Sequence, residues 1–562
     1  MKTAPTLAAL AAPRGGGIRG SGRPFANGYV YPTYEYRRPP ELGGAVRHCK
    51  VLVVGAGPVG LTAAIDLAQR GVPVLVLDDD DTVSVGSRAI CYSKRTLEIL
   101  DRLGCGEPVA SKGVSWKVGK VYQGEVLAYQ FEQLPESGHH RPAFVNLQQY
   151  HFEECLVERA QALPSLELRW RHKVTGVAQD DARVAVTVST ADGDYTLTCD
   201  WLVACDGARS PVRHMLGLDF EGRVFRDRFL IADIRMASDF PAERRFWFDP
   251  PFHPNQSVLL HRQADDVWRV DFQLGWDADP EVEKQPERIV PRLRAMLGPD
   301  ARFALEWSSV YTFQCRRMKK FRHGRIIFAG DSAHLVSPFG ARGANSGIQD
   351  ADNLVWKLDL VLRGLAPAAL LDTYDSERVA AADENLKNST RSTDFITPKS
   401  AVSRTFRDAV LSLARRHAFA RRLVNSGRLS MPAVLTDSPL NTPDGEPFEG
   451  AMVPGAVAAD APVDGPRGRW LLEHLGGEFA LLAFGDVPPE ALALADTPIP
   501  CRVVQIGGRG GLADVEGLVT ARYDGRDGTC YLIRPDQHVC ARWRSLDPAR
   551  VRAALGRATA QS

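Results

Sequence analysis

No stretch of this 562-residue sequence stays apolar for anything like the roughly 20 residues of a membrane-spanning helix. The short run Leu7-Ala-Ala-Leu-Ala-Ala12 falls below the length of a signal-peptide core, and only Lys2 precedes it as positive charge. The expectation is therefore a cytoplasmic protein. A surplus of one charge is missing too. Lys and Arg number 69 against 68 Asp and Glu, a net charge of +1, so nothing argues for nucleic acid or an anionic membrane surface as partner. The ten cysteines include no CxxC, which removes the usual zinc and dithiol motifs and leaves reduced thiols as the reading. His139-His140 has no second ligand pair at metal spacing and reads as a solvated loop. No internal repeat is present. What remains is an ordinary globular composition, 44% hydrophobic and 24% charged, long enough for about three domains.

Against that plain background stands Gly55-Ala-Gly-Pro-Val-Gly60. The apolar run 51–54 before it reads as a buried parallel strand. Residues 61–70 after it carry helical apolar spacing (Leu61, Ala64, Ile65, Ala68), and Gly71, a second apolar strand over 74–77 and Asp78 follow. In such a β-turn-α-β unit Gly55 permits the tight turn, Gly57 lets backbone approach a pyrophosphate, and Gly60 lets the helix pack on the sheet. The helix start offers N–H groups to phosphate, and Asp78 can accept from a ribose hydroxyl. The unit predicts dinucleotide binding without choosing between FAD and NAD.

Two further strand ends carry chemistry. The first is Leu202-Val-Ala-Cys-Asp206-Gly207-Ala-Arg-Ser210-Pro-Val-Arg213, which by itself is also an ordinary Asp-Gly turn. The second runs from Ile326 through Gly330-Asp331, His334-Leu-Val-Ser-Pro338 and Gly340-Ala-Arg-Gly343-Ala344-Asn345 into a long helix. That helix has apolar residues at Ile348, Ala351, Leu354, Val355, Leu358, Val361 and Leu362 and is capped by Gly364. Its start, at Gly343, presents donors and a positive dipole end suited to an anionic group such as N1/O2 of a reduced flavin, and Asp331 can accept from polyol hydroxyls. Helices are also expected over 95–103, ended by Gly104, and over 148–162. Strands are expected over 166–170, 184–189 and 201–204, followed by aromatic-rich strands such as 244–249 and 267–274.

In this order and at these separations the three elements resemble the class A flavoprotein monooxygenases, the aromatic hydroxylases related to 4-hydroxybenzoate hydroxylase. The resemblance spans about 49–400. It implies FAD as cofactor, with Gly55, Gly57 and Gly60 at the pyrophosphate, Asp78 at the adenosine ribose and Arg88 at the phosphates. Gln149 would lie beside the cofactor, Asp206 in the Asp-Gly motif shared by FAD and NAD(P)H, and Asp331 at the ribityl chain. Gly343, Ala344 and Asn345 would hold the flavin pyrimidine edge. Pro338 would face the substrate and flavin C4a, and Arg269 would lie near the flavin. The carboxyl end, with Arg534-Pro535-Asp536 and Trp543, is similar to the thioredoxin-like domain of the phenol hydroxylase and 3-(3-hydroxyphenyl)propionate hydroxylase branch, which lacks redox cysteines; Cys530 and Cys540 form no CxxC either. The implied fold is α/β: a Rossmann-type, glutathione-reductase-like FAD-binding domain with an inserted, mainly antiparallel β substrate domain and a thioredoxin-like carboxyl-terminal domain. The boundaries are an irregular arm over 1–48, FAD-binding parts over 49–222 and 315–435, the substrate sheet over 223–314 and the last domain over 445–562.

The activity this implies is an NADH- or NADPH-using monooxygenase that adds one atom of O2 to a phenolic or other electron-rich ring through a C4a-hydroperoxyflavin, with a homodimer as the family's suggestion. Two rivals remain. One is a reductase or epoxidase on the same fold; the other is a non-catalytic FAD- or NAD-binding regulator. The sequence departs from the family in two places. Phenol hydroxylase has an aspartate near the substrate where Ile90 stands here. The tyrosine that clamps substrate in 4-hydroxybenzoate hydroxylase falls near Phe246-Trp247-Phe248, which has none. His253, His261 and Tyr311 are the candidates for deprotonating a phenol, and Arg262 for gripping a carboxylate.

Overall fold

The computed structural model describes residues 29–424 and 429–561. Of the amino-terminal arm expected over 1–48, residues 1–28 thus lie outside the described residues.

Five parallel strands form the central sheet, in the order Ile326–Phe328, Gly193–Ala204, Arg47–Val54, Val74–Asp78, Leu166–Trp170. Their apolar runs are buried on both faces, as parallel strands covered by helices must be. Helix Pro58–Gln69 packs against Gly343–Leu362 over this sheet. The contact is close because two glycines lack side chains: a Cβ on Gly347 would lie 2.6 Å from Val59 Cγ2, and one on Gly330 2.8 Å from the same atom. Lys173–Gln179 and Val184–Thr190 extend the sheet as an antiparallel meander onto Gly193–Ala204.

A second, eight-stranded sheet follows the order His334–Leu335, Ala304–Met318, Phe220–Arg235, Val267–Leu274, Ser257–Arg262, Arg244–Phe248, Val118–Gln123, Val126–Glu132. All pairings are antiparallel except that of Arg244–Phe248 with Val118–Gln123. The sheet therefore draws two strands from 118–132, residues that sequence order had placed in the FAD-binding part. Chain order cannot reveal this, because the strands meet only through a pairing between residues more than a hundred positions apart. On one face Leu230, Ala232, Ile234, Val258, Leu260 and Val270 pack on helix Pro286–Leu297 through Ile289 and Leu293. Strand alternation turns Ile231, Leu259, His261, Arg269 and Asp271 to the opposite face, and these line a cavity.

The carboxyl-terminal sheet has the order Cys501–Ile506, Phe479–Phe484, Cys530–Ile533, Val539–Trp543, with the first pair parallel and the others antiparallel. Its turn at 534–538 inserts against Gly343–Leu362. Arg95 on helix Lys94–Leu103 donates to Gln537 Oε1 (2.7 Å), Asp536 O (2.8 Å) and Asp352 Oδ2 (2.8 Å). The helix expected over 95–103 is there, but its polar side is buried rather than solvated. No helix among the described residues is long and apolar enough to cross a membrane.

Candidate functional site

A continuous cavity of about 2670 Å³ opens where the parallel strands end at their carboxyl edges and meets the second sheet. Gly55, Asp78, Asp206 and Asp331 each stand at or just beyond one of these ends, the usual place for a ligand in such sheets.

The turn after Arg47–Val54 is held by close packing. Gly55 has φ +103°, and a Cβ there would lie 2.5 Å from Cys205 O; a Cβ on Gly60 would lie 1.9 Å from Gly55 O. Gly57 differs: it is the N-cap of helix Pro58–Gln69, no side chain caps that helix, and a Cβ on it would meet nothing within 4 Å. Open space above a glycine, next to unclaimed helix N–H groups, is a cradle for phosphate. Asp78 closes the turn from beneath, accepting from Ala56 N (2.6 Å) and Asp80 N (2.9 Å), and burial pushes its carboxyl up to about 6.

The segment 84–89 has no regular structure and is pinned by its neighbours. Gln149, which opens helix Gln149–Gln161, accepts from Ala89 N (2.8 Å) and donates to Ser84 Oγ (3.1 Å). Glu153, one turn on, accepts from Ser84 N and Oγ. Tyr31 lines the cavity, and its hydroxyl accepts from Gly86 N at 2.9 Å, while Tyr34 stacks on Trp170 at 4.4 Å. The Arg88 side chain is left exposed in the cavity.

Asp206 Oδ2 accepts from Val212 N (3.0 Å), while its Oδ1 is buried with no partner. Arg213 ties this turn to the next strand end, donating to Ala208 O and Ser332 O, each at 2.9 Å. Asp331 is exposed in the cavity on a 3-10 turn. Asp350 supports that turn, accepting from Gly330 N (3.0 Å), His334 Nε2 (2.6 Å) and Arg378 Nε (2.6 Å). Burial alone would raise the Asp350 carboxyl, but His334 and Arg378 hold it below its ordinary value. His334 is thereby buried under the loop, whereas Pro338 faces the cavity. Gly343, Ala344 and Asn345 begin helix Gly343–Leu362 without a side-chain cap, so their N–H groups have no acceptor in the helix. The Asn345 side chain turns inward, accepting from Ser93 N (2.9 Å) and Thr96 Oγ1 (2.7 Å).

On the sheet side, Arg269 donates to Asp271 Oδ1 (2.7 Å), Ser87 O (2.6 Å) and Arg88 O (3.0 Å), tying the second sheet to the segment 84–89 at the cavity. Asp233 accepts from Ser87 Oγ, and burial lifts its carboxyl to about 7 although Arg269 opposes the shift. Ile90, Leu259, Phe313 and Phe339 supply apolar wall. Of the candidates for handling the substrate, His261 and Tyr311 line the cavity. His253 does not; its Nε2 lies 2.7 Å from Gln273 O. Arg262 does not either: it packs over Trp268 and beside Asp266, since it lies on the strand's opposite face. Sequence reasoning gave no site role to Arg244, Asp271 or Glu153, which line the cavity. The available signal was Val267–Leu274, where Arg269, Asp271 and Gln273 alternate with apolar residues in a strand buried throughout. Among the described residues no group of three His, Cys, Asp or Glu is placed to hold a metal.

The orphaned Asp206 Oδ1, the cradle over Gly57, exposed Arg88 and the two uncapped helix starts suit a ligand with a pyrophosphate, a polyol and an anionic heterocycle, which is the chemistry of FAD. The comparisons with known proteins agree. The family model described as an FAD binding domain matches residues 48–389. Para-nitrophenol 4-monooxygenase of Pseudomonas sp. (strain WBC-3) is 32% identical over 339 residues, 58% of this chain and 82% of that protein. The 3-(3-hydroxy-phenyl)propionate/3-hydroxycinnamic acid hydroxylase of Shigella sonnei (strain Ss046) is 31% identical over 377 residues, 66% of this chain and 67% of that one. In fold, the chain is similar to the flavin-dependent monooxygenase PieE, solved with FAD and substrate: TM-score 0.79, 24% identity, 92% of this chain and 99% of that one. The chain belongs to the FAD-binding-domain family and is a flavin-dependent monooxygenase with FAD as its cofactor.

Proposed function

We propose that the enzyme hydroxylates a phenolic or otherwise electron-rich aromatic ring, taking electrons from NADH or NADPH and one oxygen atom from O2. The observation that carries this reading is the single cavity in which the loop 335–339 and the start of Gly343–Leu362 face the aromatic and polar wall of the second sheet. The two relatives named above, whose substrates are phenols, support it. Bound FAD supplies electron transfer and oxygen activation, and the protein supplies orientation and a water-poor pocket.

In this reading Gly55, Gly57, Gly60 and Arg88 hold the pyrophosphate, Asp78 the ribose, Asp331 the polyol, and the amides of Gly343, Ala344 and Asn345 the pyrimidine edge. Gln149 and Asp206 shape the turns beside the cofactor. Pro338 borders the reacting ring, and Arg269 connects the substrate wall to the segment that carries Arg88. The test is a screen of phenols and hydroxylated aromatic acids for stimulation of NAD(P)H oxidation, with products weighed for one added oxygen. Equal oxidation with and without every aromatic compound, and no oxygenated product, would overturn the reading.

The carboxyl-terminal domain is inferred to be thioredoxin-like in strand arrangement but without dithiol chemistry. Cys530 and Cys540 are fully buried, and burial pushes the Cys530 thiol up to about 12. Replacing both by serine is expected to leave turnover within a few-fold and to cost stability, about 1–3 kcal/mol for each hydroxyl left unpartnered. Turnover and melting of the double variant check this. Lost hydroxylation in a variant that retains FAD and melts like wild type would give the thiols a catalytic part.

A further inference from the structure

The strand register aligns a transverse row of polar residues on the cavity face of the second sheet. Arg245 pairs with Leu260, which sets Arg244 beside His261; His261 pairs with Arg269, and Arg269 with Asp233. Directly opposed residues share a face, and Arg244, His261 and Arg269 all line the cavity. At one end Arg269 is answered by Asp271 and by the Ser87 and Arg88 carbonyls, and Asp233 accepts from Ser87 through Oδ2, its Oδ1 being buried without a partner. The other end is unanswered. Among the described residues Arg244 has neither a hydrogen bond nor an ion pair, while its neighbour Arg245, on the opposite face, pairs with Glu243 at 2.7 Å. His261 is 3% exposed, and its Nδ1 is sealed from solvent with no partner.

A guanidinium keeps its charge at any ordinary pH, and half-buried Arg244 has no carboxylate to offset it. His261 cannot relieve it: burial, with Arg244 and Arg269 alongside, holds the imidazole well below its ordinary value and hence neutral. The nearby carboxylate, Asp271, is engaged by Arg269. This end of the pocket is therefore electropositive, apolar-walled by Ile90 and Leu259, and short of one anion. Two strand spacings, about 9–10 Å, separate Arg244 from Arg269, room for a ring and a short arm.

We propose that Arg244, with His261 beside it, is the anion-recognition end of the substrate pocket, so that the substrate is an aromatic compound bearing a carboxylate or an ionised acidic hydroxyl. The inference rests on the cavity being the pocket of an aromatic hydroxylase. A planar guanidinium meets a carboxylate through two parallel hydrogen bonds and a phenolate through one or two, and either anion restores the missing charge. His261 then completes the site through a ring N–H that donates to the same anion.

The test uses the FAD-loaded enzyme and reads binding from the perturbed flavin absorbance, with two matched probe pairs. The first pair is 3-hydroxyphenylacetate and 3-hydroxyphenylacetamide; the second is 4-nitrophenolate and 4-nitroanisole. The anionic member of at least one pair is expected to bind tenfold or more tightly than its neutral partner. Arg244→Gln should abolish that preference with FAD content unchanged, and Arg244→Lys should keep part of it, which also serves if the glutamine variant does not fold. The pair that discriminates identifies the anion. Equal binding within both pairs, a preference that survives Arg244→Gln, or no binding by any probe would overturn the proposal. Product analysis separates its failure from that of the hydroxylase reading: preference without an oxygenated product leaves the anion site standing, and hydroxylation without preference removes only the anion site.

Discussion

Arg534→Ala is expected to cost about 3–5 kcal/mol of stability, because it removes the cation shared by two buried carboxylates. Arg534 is fully buried; it donates to Glu377 Oε1 at 2.6 Å and Oε2 at 3.2 Å, and to Asp536 Oδ1 at 3.0 Å. Glu377 also takes Lys357 Nζ at 2.7 Å, and Asp536 takes Trp356 Nε1 at 3.1 Å. Lys357 and Trp356 lie on the same helix whose first amides face the cavity, so the loss should also loosen FAD. The measurement is chemical denaturation of the FAD-loaded enzyme, with released flavin followed by fluorescence; Arg534→Lys should fall between the two. A cost below about 1 kcal/mol, the range of an exposed ion pair, would mean the cluster is not the interface bond described here. Burial would raise Glu377, but Arg534 and Lys357 hold it far below its ordinary 4.5. Its contribution is therefore complete above pH 4.5 and lost as the pH falls below that value, so wild type should show a steeper acid limb than Arg534→Ala.

The second large effect separates two glycines three residues apart. Gly60→Ala places a Cβ 1.9 Å from the Gly55 carbonyl, a backbone atom that cannot move without opening the turn, and it should yield little folded, FAD-bearing protein. Gly57→Val should fold. Its φ of −77° and ψ of −175° suit any residue, and nothing lies within 4 Å of the new Cβ. The poorer N-cap costs up to about 1 kcal/mol. The branched side chain does fill the cradle, so the protein should be colourless and melt close to ligand-free wild type. Flavin absorbance against melting temperature checks both. A yellow Gly57→Val enzyme with wild-type FAD affinity would place the pyrophosphate elsewhere.

The half of the cavity proposed to hold the cofactor was legible in the sequence because its determinants are local. Gly55 to Gly60, Asp206, Asp331 and Gly343 to Asn345 each sit within a strand end and the turn after it, where backbone conformation and free N–H groups follow from a few adjacent residues. The substrate half was not. Arg262 and Arg244 both sit on strands of the second sheet, and residue type cannot tell them apart; only the register sends Arg244 to the cavity and Arg262 behind the sheet. His253 failed as a candidate because Gln273 O already holds it. Lys94–Leu103 reads as amphipathic, and only the arrival of the 534–538 turn, more than four hundred residues later, buries its polar side.

The sequence by itself determined the dinucleotide unit, since this depends on short-range geometry that glycine, aspartate and helix starts impose on their own neighbours; FAD and the kinship to aromatic hydroxylases followed from the resemblance that the three motifs carry together. The tertiary structure alone decided which side chains share the cavity wall. A strand offers two opposite faces, and the face that meets the ligand is set by pairings between segments distant in sequence, which no local pattern encodes.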